Sequence, residues 1–116
     1  MQRGDIFYVE LTTPEGNLGR EQIGSRPALI IHSNNTLANL PVLMVIPITS
    51  QLSANRFPHT ILVQPSRQNG LTTPSLLLIF QLRAIDRNRI KNKIGQLEPV
   101  IMTQVEKELR NLLELI

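Results

Sequence analysis

The sequence contains no cysteine and no tryptophan among its 116 residues, and its aromatic residues are three phenylalanines and one tyrosine. Without cysteine there are no disulfides, no thiolate nucleophile and no cysteine-based zinc site. Few aromatic side chains are left to form stacking platforms for single-stranded nucleic acid. No apolar run approaches the roughly 20 residues that a membrane span needs, and charged residues interrupt the first ten positions, which disfavours a secretory leader. We therefore expect a cytoplasmic protein without a membrane anchor.

Acidic residues are also missing from most of the chain. No Asp or Glu occurs from Gln22 to Ile85, whereas Arg26, Arg56, Arg67 and Arg83 fall inside this span. The net charge is +3, and residues 98–116 reverse the sign because acids outnumber bases there. A basic body of this kind suits a polyanionic partner such as nucleic acid, although a solvated basic surface is an equally valid interpretation.

The length and the hydrophobic content of 41% are typical of one folded domain, residues 1–116. Apolar alternation and turn signals predict strands at 6–11, 28–32, 43–48, 61–64, 75–82 and 91–97. The third is apolar on both faces and should be central, with Pro47 marking an edge or a bulge. Asn69-Gly70 is typical of a hairpin turn, and Asp86 is expected to cap one helical turn. Residues 12–25 are left as a long loop, which in compact domains is usually functional or disordered.

One helix is predicted, beginning at Pro99 in the first helical position. Its apolar residues recur at spacings of three and four and should share one face: Met102, Val105, Leu109, Leu112, Leu113 and Ile116. Glu106 and Arg110 are spaced to pair on the opposite face. Short strands followed by one terminal helix favour a mainly β fold, a small, strongly bent antiparallel sheet or partly open barrel.

The segment 19–31 has a polar head that leads into a short apolar strand. Pro27 biases Arg26 towards an extended backbone, so its guanidinium would be held at the mouth of the strand. A guanidinium has the fork geometry that phosphate requires and stays charged at physiological pH. The alternative is a surface loop in which Glu21 and Arg26 form a salt bridge.

The remaining polar residues exclude several chemistries. His32 and His59 have no carboxylate between them, which disfavours a metal site, and Ser25 stands where a phosphate-binding loop needs lysine. The polar side chains expected in loops or at strand ends are Glu21, Arg26, Thr49, His59, Gln81 and Arg83. They suit metal-free cleavage of RNA, in which the 2′-hydroxyl is the nucleophile and the protein moves protons and neutralises the phosphorane.

Several motifs occur in order along nearly the whole chain: Gly4-Asp5-Ile6, Gly19-x-Glu21-Gln22-x-Gly24-x-Arg26-Pro27, Ile48-Thr49 and Gln81-x-Arg83-x-x-Asp86. Together they resemble the MazF/PemK family of toxins. The resemblance implies an SH3-like barrel of the PemK/CcdB type and a homodimeric endoribonuclease without cofactor or metal. It also implies single-stranded RNA as substrate, with 2′,3′-cyclic phosphate and 5′-hydroxyl ends, and inhibition by an antitoxin with an acidic disordered tail.

By the same resemblance, Arg26, Thr49 and Glu21 stand at the catalytic positions. The residues expected to contact RNA are Arg20, Gln22, Ser50, Arg56, His59, Gln81 and Arg83. Two positions depart from the family pattern: Phe80 replaces an acidic residue that many members have before the glutamine, and Arg20 replaces a histidine that some have. The general acid and the general base therefore stay unassigned.

Two other functions remain open at this point. A toxin group of the same fold inhibits DNA gyrase by protein contact alone, and a degenerate member could bind RNA without cutting it. An inhibitor by contact has no need of Glu21, Arg26 and Thr49 together, so these residues favour the enzyme.

Overall fold

The computed structural model describes residues 1–11 and 24–116. Within them one α-helix, α1 (Pro99–Leu113), follows the strands β1 (Asp5–Leu11), β2 (Gly24–Ile30), β3 (Val42–Thr49), β4 (Thr60–Val63), β5 (Ser75–Leu78), β6 (Arg83–Asp86) and β7 (Ile90–Gln96). Short 3₁₀ turns occupy Leu52–Arg56, Ile79–Gln81 and Arg87–Arg89. This confirms the expected mainly β fold with a carboxyl-terminal helix.

The strands pair antiparallel in the order β4-β5-β3-β2-β1-β7, and β6 also pairs with β3. β3 is central, as its apolar sequence predicts. On the edge of β3 away from β2, the first half of the strand pairs with β6 and the last two residues pair with β5. The sheet therefore bends along β3. Pro47 lies at the change of partner, between Val45, the last residue paired with β6, and Ile48, the first paired with β5. A residue that lacks an N–H is tolerated where the ladder is interrupted.

The strand predicted at 75–82 is wrong beyond Leu78. The register against β3 shifts by three residues between β5 and β6, and the three-residue turn Ile79–Gln81 takes up the excess. The sequence pattern does not reveal this break because Leu76, Leu77, Leu78 and Ile79 are all buried and read as one apolar run.

Two apolar clusters lie on opposite faces of the sheet. Adjacent residues of a strand point to opposite faces, and Leu29 belongs to one cluster whereas Ala28 and Ile30 belong to the other. The Leu29 cluster includes Ile6 and is covered by α1 through the buried Val105. The sheet therefore carries an apolar core on each of its two faces.

The helix begins with Pro99 at its first turn, as predicted. Met102, Val105, Leu109 and Leu112 pack on the core, but Leu113 and Ile116 are exposed, so the predicted apolar face is too long. The helix ends at Leu113 because Glu114 adopts a left-handed backbone with φ of 56°. The predicted partner of Glu106, Arg110, is wrong. The Glu106 carboxylate forms an ion pair with Arg3, which lies outside the helix, at 2.7 Å. Over the described residues, no helix is long and apolar enough to span a membrane.

Other local predictions hold with small changes. β2 begins at Gly24 and ends at Ile30, so it starts before the predicted 28–32 segment and takes residues 24 and 25 from the predicted loop. The Asp86 carboxylate accepts the Asn88 N–H at 2.8 Å and caps the predicted helical turn. β4 and β5 pair as a hairpin with Val63 opposite Ser75, but residues 64–74 connect them, so Asn69-Gly70 lies inside a long loop and not in a tight hairpin turn.

Candidate active-site groove

A groove of about 280 Å³ opens where the amino-terminal half of β2 meets the end of β3. Its walls come from Tyr8 on β1, residues 25–27 of β2, residues 48–51 at the end of β3, residues 70–73 and Ser75 before and in β5, and Ile94 on β7. Neighbouring strands thus converge on one concave surface, the usual setting of a ligand or substrate site. We refer to it as the β2–β3 groove.

The β2–β3 groove brings Arg26 and Thr49 together. The pairing of β2 with β3 ends at Ala28 opposite Pro47. Arg26 lies two residues before Ala28 on β2, and Thr49 lies two residues after Pro47 on β3. Alternate residues of a strand point to the same face, so Arg26 shares the face of Ala28 and Thr49 that of Pro47. Both residues line the groove.

Arg26 is the third residue of β2, inside the strand and not just before it as predicted. Val9 lies opposite it on β1, so its backbone belongs to the sheet while its side chain is exposed. Among the described residues, its guanidinium makes no ion pair or side-chain hydrogen bond. An exposed guanidinium on a strand residue, with no partner among the described residues, is suited to binding an anion in the groove.

Thr49 is almost fully buried, with 5% of its surface exposed. Its hydroxyl oxygen accepts a hydrogen bond from the Gln51 backbone N–H at 3.1 Å. A hydroxyl that accepts a bond still has its own hydrogen to donate. The bond to Gln51 therefore holds the Thr49 oxygen in place and leaves a donor for a ligand oxygen in the groove.

The family model of PemK-like, MazF-like toxins of type II toxin–antitoxin systems matches residues 2–113 of this chain. The chain belongs to this family. Endoribonuclease EndoA of Bacillus subtilis is 31% identical over 116 residues, which cover 100% of this chain and 97% of the relative. The enzyme class expected from the sequence, endoribonuclease, is thereby confirmed.

Solved structures of the family share the fold. MazF of Deinococcus radiodurans superimposes with a TM-score of 0.79 at 23% identity, covering 99% of this chain and 97% of that one. An endoribonuclease from a mycobacterial species, solved in complex with its cognate antitoxin, gives a TM-score of 0.74 at 18% identity and covers 100% and 97%. The predicted toxin fold is therefore confirmed.

The structure also places groove residues that the sequence did not single out. Tyr8 is 44% exposed and lines the groove from β1. Thr72 and Thr73 are exposed and also line the groove, and the buried Ser75 follows them. The one available signal was the hydroxyl-rich run directly after Asn69-Gly70. That signal marks a polar loop, but only the pairing of β5 with β3 sets the loop beside Thr49.

The predicted RNA-contacting residues fall into separate places of this toxin. Ser50 lines the groove. Gln81 lies in the turn before β6 and Arg83 begins β6; both have interaction partners, and neither is part of the groove lining. Arg20, Glu21 and Gln22 lie outside the described residues, so their assignments stay predictions, as does the alternative salt bridge of Glu21 with Arg26.

Arg56 and His59 make contacts of their own away from the groove lining. The Arg56 guanidinium carbon lies 4.5 Å from the centre of the Phe57 ring, and Nη1 donates to the Ser53 carbonyl at 3.3 Å. His59 Nδ1 lies 3.0 Å from a Glu108 carboxylate oxygen on α1. This contact supports a structural part for His59, and its predicted contact with RNA remains untested.

Phe80 has a packing role where many family members have an acidic residue. Its ring lies 5.3 Å from that of Phe57 in a tilted arrangement favourable for aromatic pairs. A phenyl ring cannot transfer a proton, so this position supplies no acid or base to the chemistry.

Metal ligands do not gather in the described part of the chain, where no group of three or more His, Asp or Glu side chains lies together. His32 is engaged in local bonds: its Nδ1 accepts the Met44 N–H at 3.2 Å, and its Nε2 lies 3.0 Å from the Thr36 hydroxyl. These bonds give His32, which lies two residues after the end of β2, a structural role.

Proposed function

We propose that the β2–β3 groove binds single-stranded RNA and cleaves it at a short recognition sequence without a metal ion. The observation that carries the proposal is the meeting of Arg26 and Thr49 on neighbouring strands in one groove. A cation and a hydroxyl donor on rigid strands are the groups needed to stabilise a phosphorane.

In the proposed reaction the 2′-oxygen of the substrate attacks the adjacent phosphorus. A base removes the 2′-hydroxyl proton, the bond from phosphorus to the 5′-oxygen breaks, and an acid protonates the departing oxygen. The products are a 2′,3′-cyclic phosphate and a 5′-hydroxyl. Arg26 neutralises the charge that develops on the non-bridging oxygens, and Thr49 donates a hydrogen bond to one of them.

Glu21 is proposed as the proton acceptor. It precedes β2 by a few residues, and no other acidic residue occurs between it and Asp86. Asp86 is engaged as the cap of the turn after β6. The choice of Glu21 thus rests on the sequence and on the absence of another carboxylate in that span.

Cleavage is favoured over inhibition by contact alone. A toxin that acts only by covering a protein target needs surface complementarity. Here a guanidinium without a partner among the described residues and a hydroxyl held by the Gln51 N–H share one concave site. The relatives named endoribonucleases favour the same choice.

The deciding experiment is incubation of the purified protein with a long RNA, with and without EDTA, followed by mapping of the new ends. We expect cleavage at one short sequence in both reactions, with cyclic phosphate and 5′-hydroxyl ends. Activity that disappears on chelation and returns with added Mg²⁺ would refute the metal-free mechanism. Intact RNA in every reaction, together with inhibition of DNA gyrase, would favour the contact inhibitor.

We further propose that the protein acts as a homodimer and that an antitoxin with an acidic, disordered tail inhibits it by covering the groove. Arg26 is unpaired within the described residues, and acids are absent from residues 22–85. An acidic segment that folds on binding would supply the missing partners, and electrostatic attraction would speed its capture.

This partner can be tested with a short peptide rich in Asp, Glu and aliphatic residues. The peptide should inhibit cleavage, and excess RNA should relieve the inhibition because both ligands occupy one site. A scrambled peptide in which the acids are replaced by amides is the control. Inhibition that persists at saturating RNA would show that the two sites do not overlap.

A further inference from the structure

The wall of the groove formed by residues 71–75 is fixed at both ends by side chains. At its start, the Leu71 N–H donates to Asn69 Oδ1 at 3.0 Å. At its end, the Ser75 hydroxyl donates to the Thr73 carbonyl at 2.9 Å. Thr72 and Thr73 lie between these anchors with exposed side chains that line the groove. The two hydroxyls are thus carried on a backbone that has few ways to move.

Asn69 is the principal anchor of this wall. It is completely buried, and its Oδ1 also accepts the Ser66 N–H at 3.0 Å. Its Nδ2 donates to the Gln64 carbonyl at 3.0 Å and to the Glu98 carboxylate at 3.2 Å. The Ser66 hydroxyl bonds the same carboxylate at 2.7 Å. A buried amide satisfied on every side ties the loop to the start of α1.

Close packing against β7 also holds the turn at residues 68–70, which precedes the wall. A Cβ added to Gly70, whose φ is +71°, would lie 2.2 Å from the Ile94 carbonyl oxygen, and one added to Gly95 would lie 2.5 Å from the Asn69 backbone. The Gln96 N–H also donates to the Gln68 carbonyl at 2.9 Å. The turn at Asn69-Gly70, from which the wall begins, therefore cannot shift without displacing β7.

We infer that Thr72 and Thr73 determine which base this toxin accepts beside the scissile phosphate, and that Asn69 positions them. This inference rests on the proposed cleavage of RNA in the groove. Thr49 and the Thr72–Thr73 wall face the same space, so a base next to a phosphate bound at Arg26 meets the wall. A hydroxyl both donates and accepts, and single-stranded RNA is read by hydrogen bonds to exposed base edges.

Rigidity matters for this role. Hydroxyls on a mobile loop would turn to suit any base, whereas hydroxyls on a fixed backbone leave a mismatched base edge unpaired. An unpaired polar group in a binding site costs more than the net gain of a satisfied bond. Discrimination therefore depends on the buried anchor at Asn69 as much as on the threonines.

The test uses Thr72→Val and Thr73→Val, which keep the side-chain shape and remove the hydroxyl. Each variant and the unaltered protein cleave a pool of randomised RNA, and the new ends are sequenced. We expect at least one variant to lose preference at one base position by about tenfold. The Michaelis constant for the preferred sequence should rise while kcat changes little, because binding is lost and the reacting groups remain.

Asn69 is tested through its partner, because Asn69→Ala removes several buried bonds and could prevent folding. Ser66→Ala deletes the hydroxyl that donates to Glu98 and accepts the Asn69 N–H at 3.0 Å, and it leaves both threonines in place. Ser66→Ala should weaken the same base preference as the valine variants do, by a smaller factor. Ser66→Thr, which keeps a hydroxyl, should retain the preference. Thr103→Val, an exposed change on α1, is the matched control and should leave the preference unaltered.

The outcomes separate this inference from the proposed function. Specific cleavage with the same relative rates in both valine variants would overturn the role of the wall and leave the ribonuclease standing. A preference that relaxes in a valine variant but not in Ser66→Ala would overturn the positioning role of Asn69. Absence of RNA cleavage by the unaltered protein would overturn both proposals.

Discussion

Asn69 and Glu98, far apart in sequence, are joined by a hydrogen bond of 3.2 Å from a buried amide to a carboxylate at the start of α1. Burial acts to raise the pKa of Glu98. Hydrogen bonds from the Ser66 hydroxyl, from the backbone N–H of Glu98 and from Asn69 outweigh burial, so its pKa lies below the ordinary value of 4.5. The ionised carboxylate therefore stabilises the link between the helix and the groove wall.

This contact predicts a dependence of stability on pH. A carboxyl whose pKa is lower in the folded state contributes stability above its unfolded pKa, and loses that contribution as pH falls through the folded pKa. Glu98→Gln should lower the melting temperature at pH 7 and make its fall towards pH 3 shallower. Thermal unfolding across this range checks the prediction, with the exposed Glu114→Gln as control. An unchanged slope in Glu98→Gln would contradict it.

Replacing Arg26 should show whether shape or charge matters in the groove. Arg26→Lys keeps the charge but loses the two-pronged donor, so we expect cleavage to slow by roughly a hundred- to a thousandfold. Single-turnover rates on a short RNA measure the effect. Arg67→Lys, an exposed change outside the groove lining, is the matched control. A lysine variant that cleaves at nearly the normal rate would refute the role of Arg26.

Thr49 is expected to serve both catalysis and local structure. From the sequence, its replacement should reduce turnover with little effect on stability, but its bond to the Gln51 N–H adds a structural cost. Thr49→Val should therefore reduce kcat and destabilise the fold by about 1 kcal/mol. Thr49→Ser, which keeps the hydroxyl, should retain most of the activity and most of the stability. Kinetics and thermal melts on the same samples separate the two effects. Normal kcat in the valine variant would leave Thr49 with a structural role alone.

RNA binding should weaken steeply with salt because each neutralised phosphate releases counterions. The affinity for an RNA with a 2′-deoxy nucleotide at the cleavage position, which cannot react, is measured over a range of salt. Arg56→Gln and Arg83→Gln should each reduce the slope of log affinity against log salt by about one if these residues contact phosphates. Arg110→Gln on α1 is the control. An affinity that does not change with salt would argue against a polyanionic ligand.

Local features of this fold could be read from the sequence because neighbouring residues decide them. Pro99 and the spacing of Val105 and Leu109 predict the helix, and Asp86 predicts a capped turn. Helix starts and caps depend on bonds within a few residues, so they survive in any tertiary context. The family motifs, with Arg26 and Thr49 among them, identified the class of enzyme by the same linear route.

Pairing between distant residues could not be read in this way. The break after Leu78 follows from a register shift against β3. Leu113 is exposed because α1 ends there. Glu106 pairs with Arg3 because the fold brings the two side chains together. Each of these features depends on which distant segment packs alongside, and such contacts produce no periodic pattern in the sequence.

The sequence by itself thus determined the toxin family, the strand-rich class and the identity of the groove arginine and threonine. Only the tertiary structure decided that Arg26 and Thr49 share one groove and that Thr72 and Thr73 line it too. The physical reason is that strand register is set by non-local hydrogen bonds and by close approaches such as Gly70 to Ile94, and these exist only once the sheet has formed.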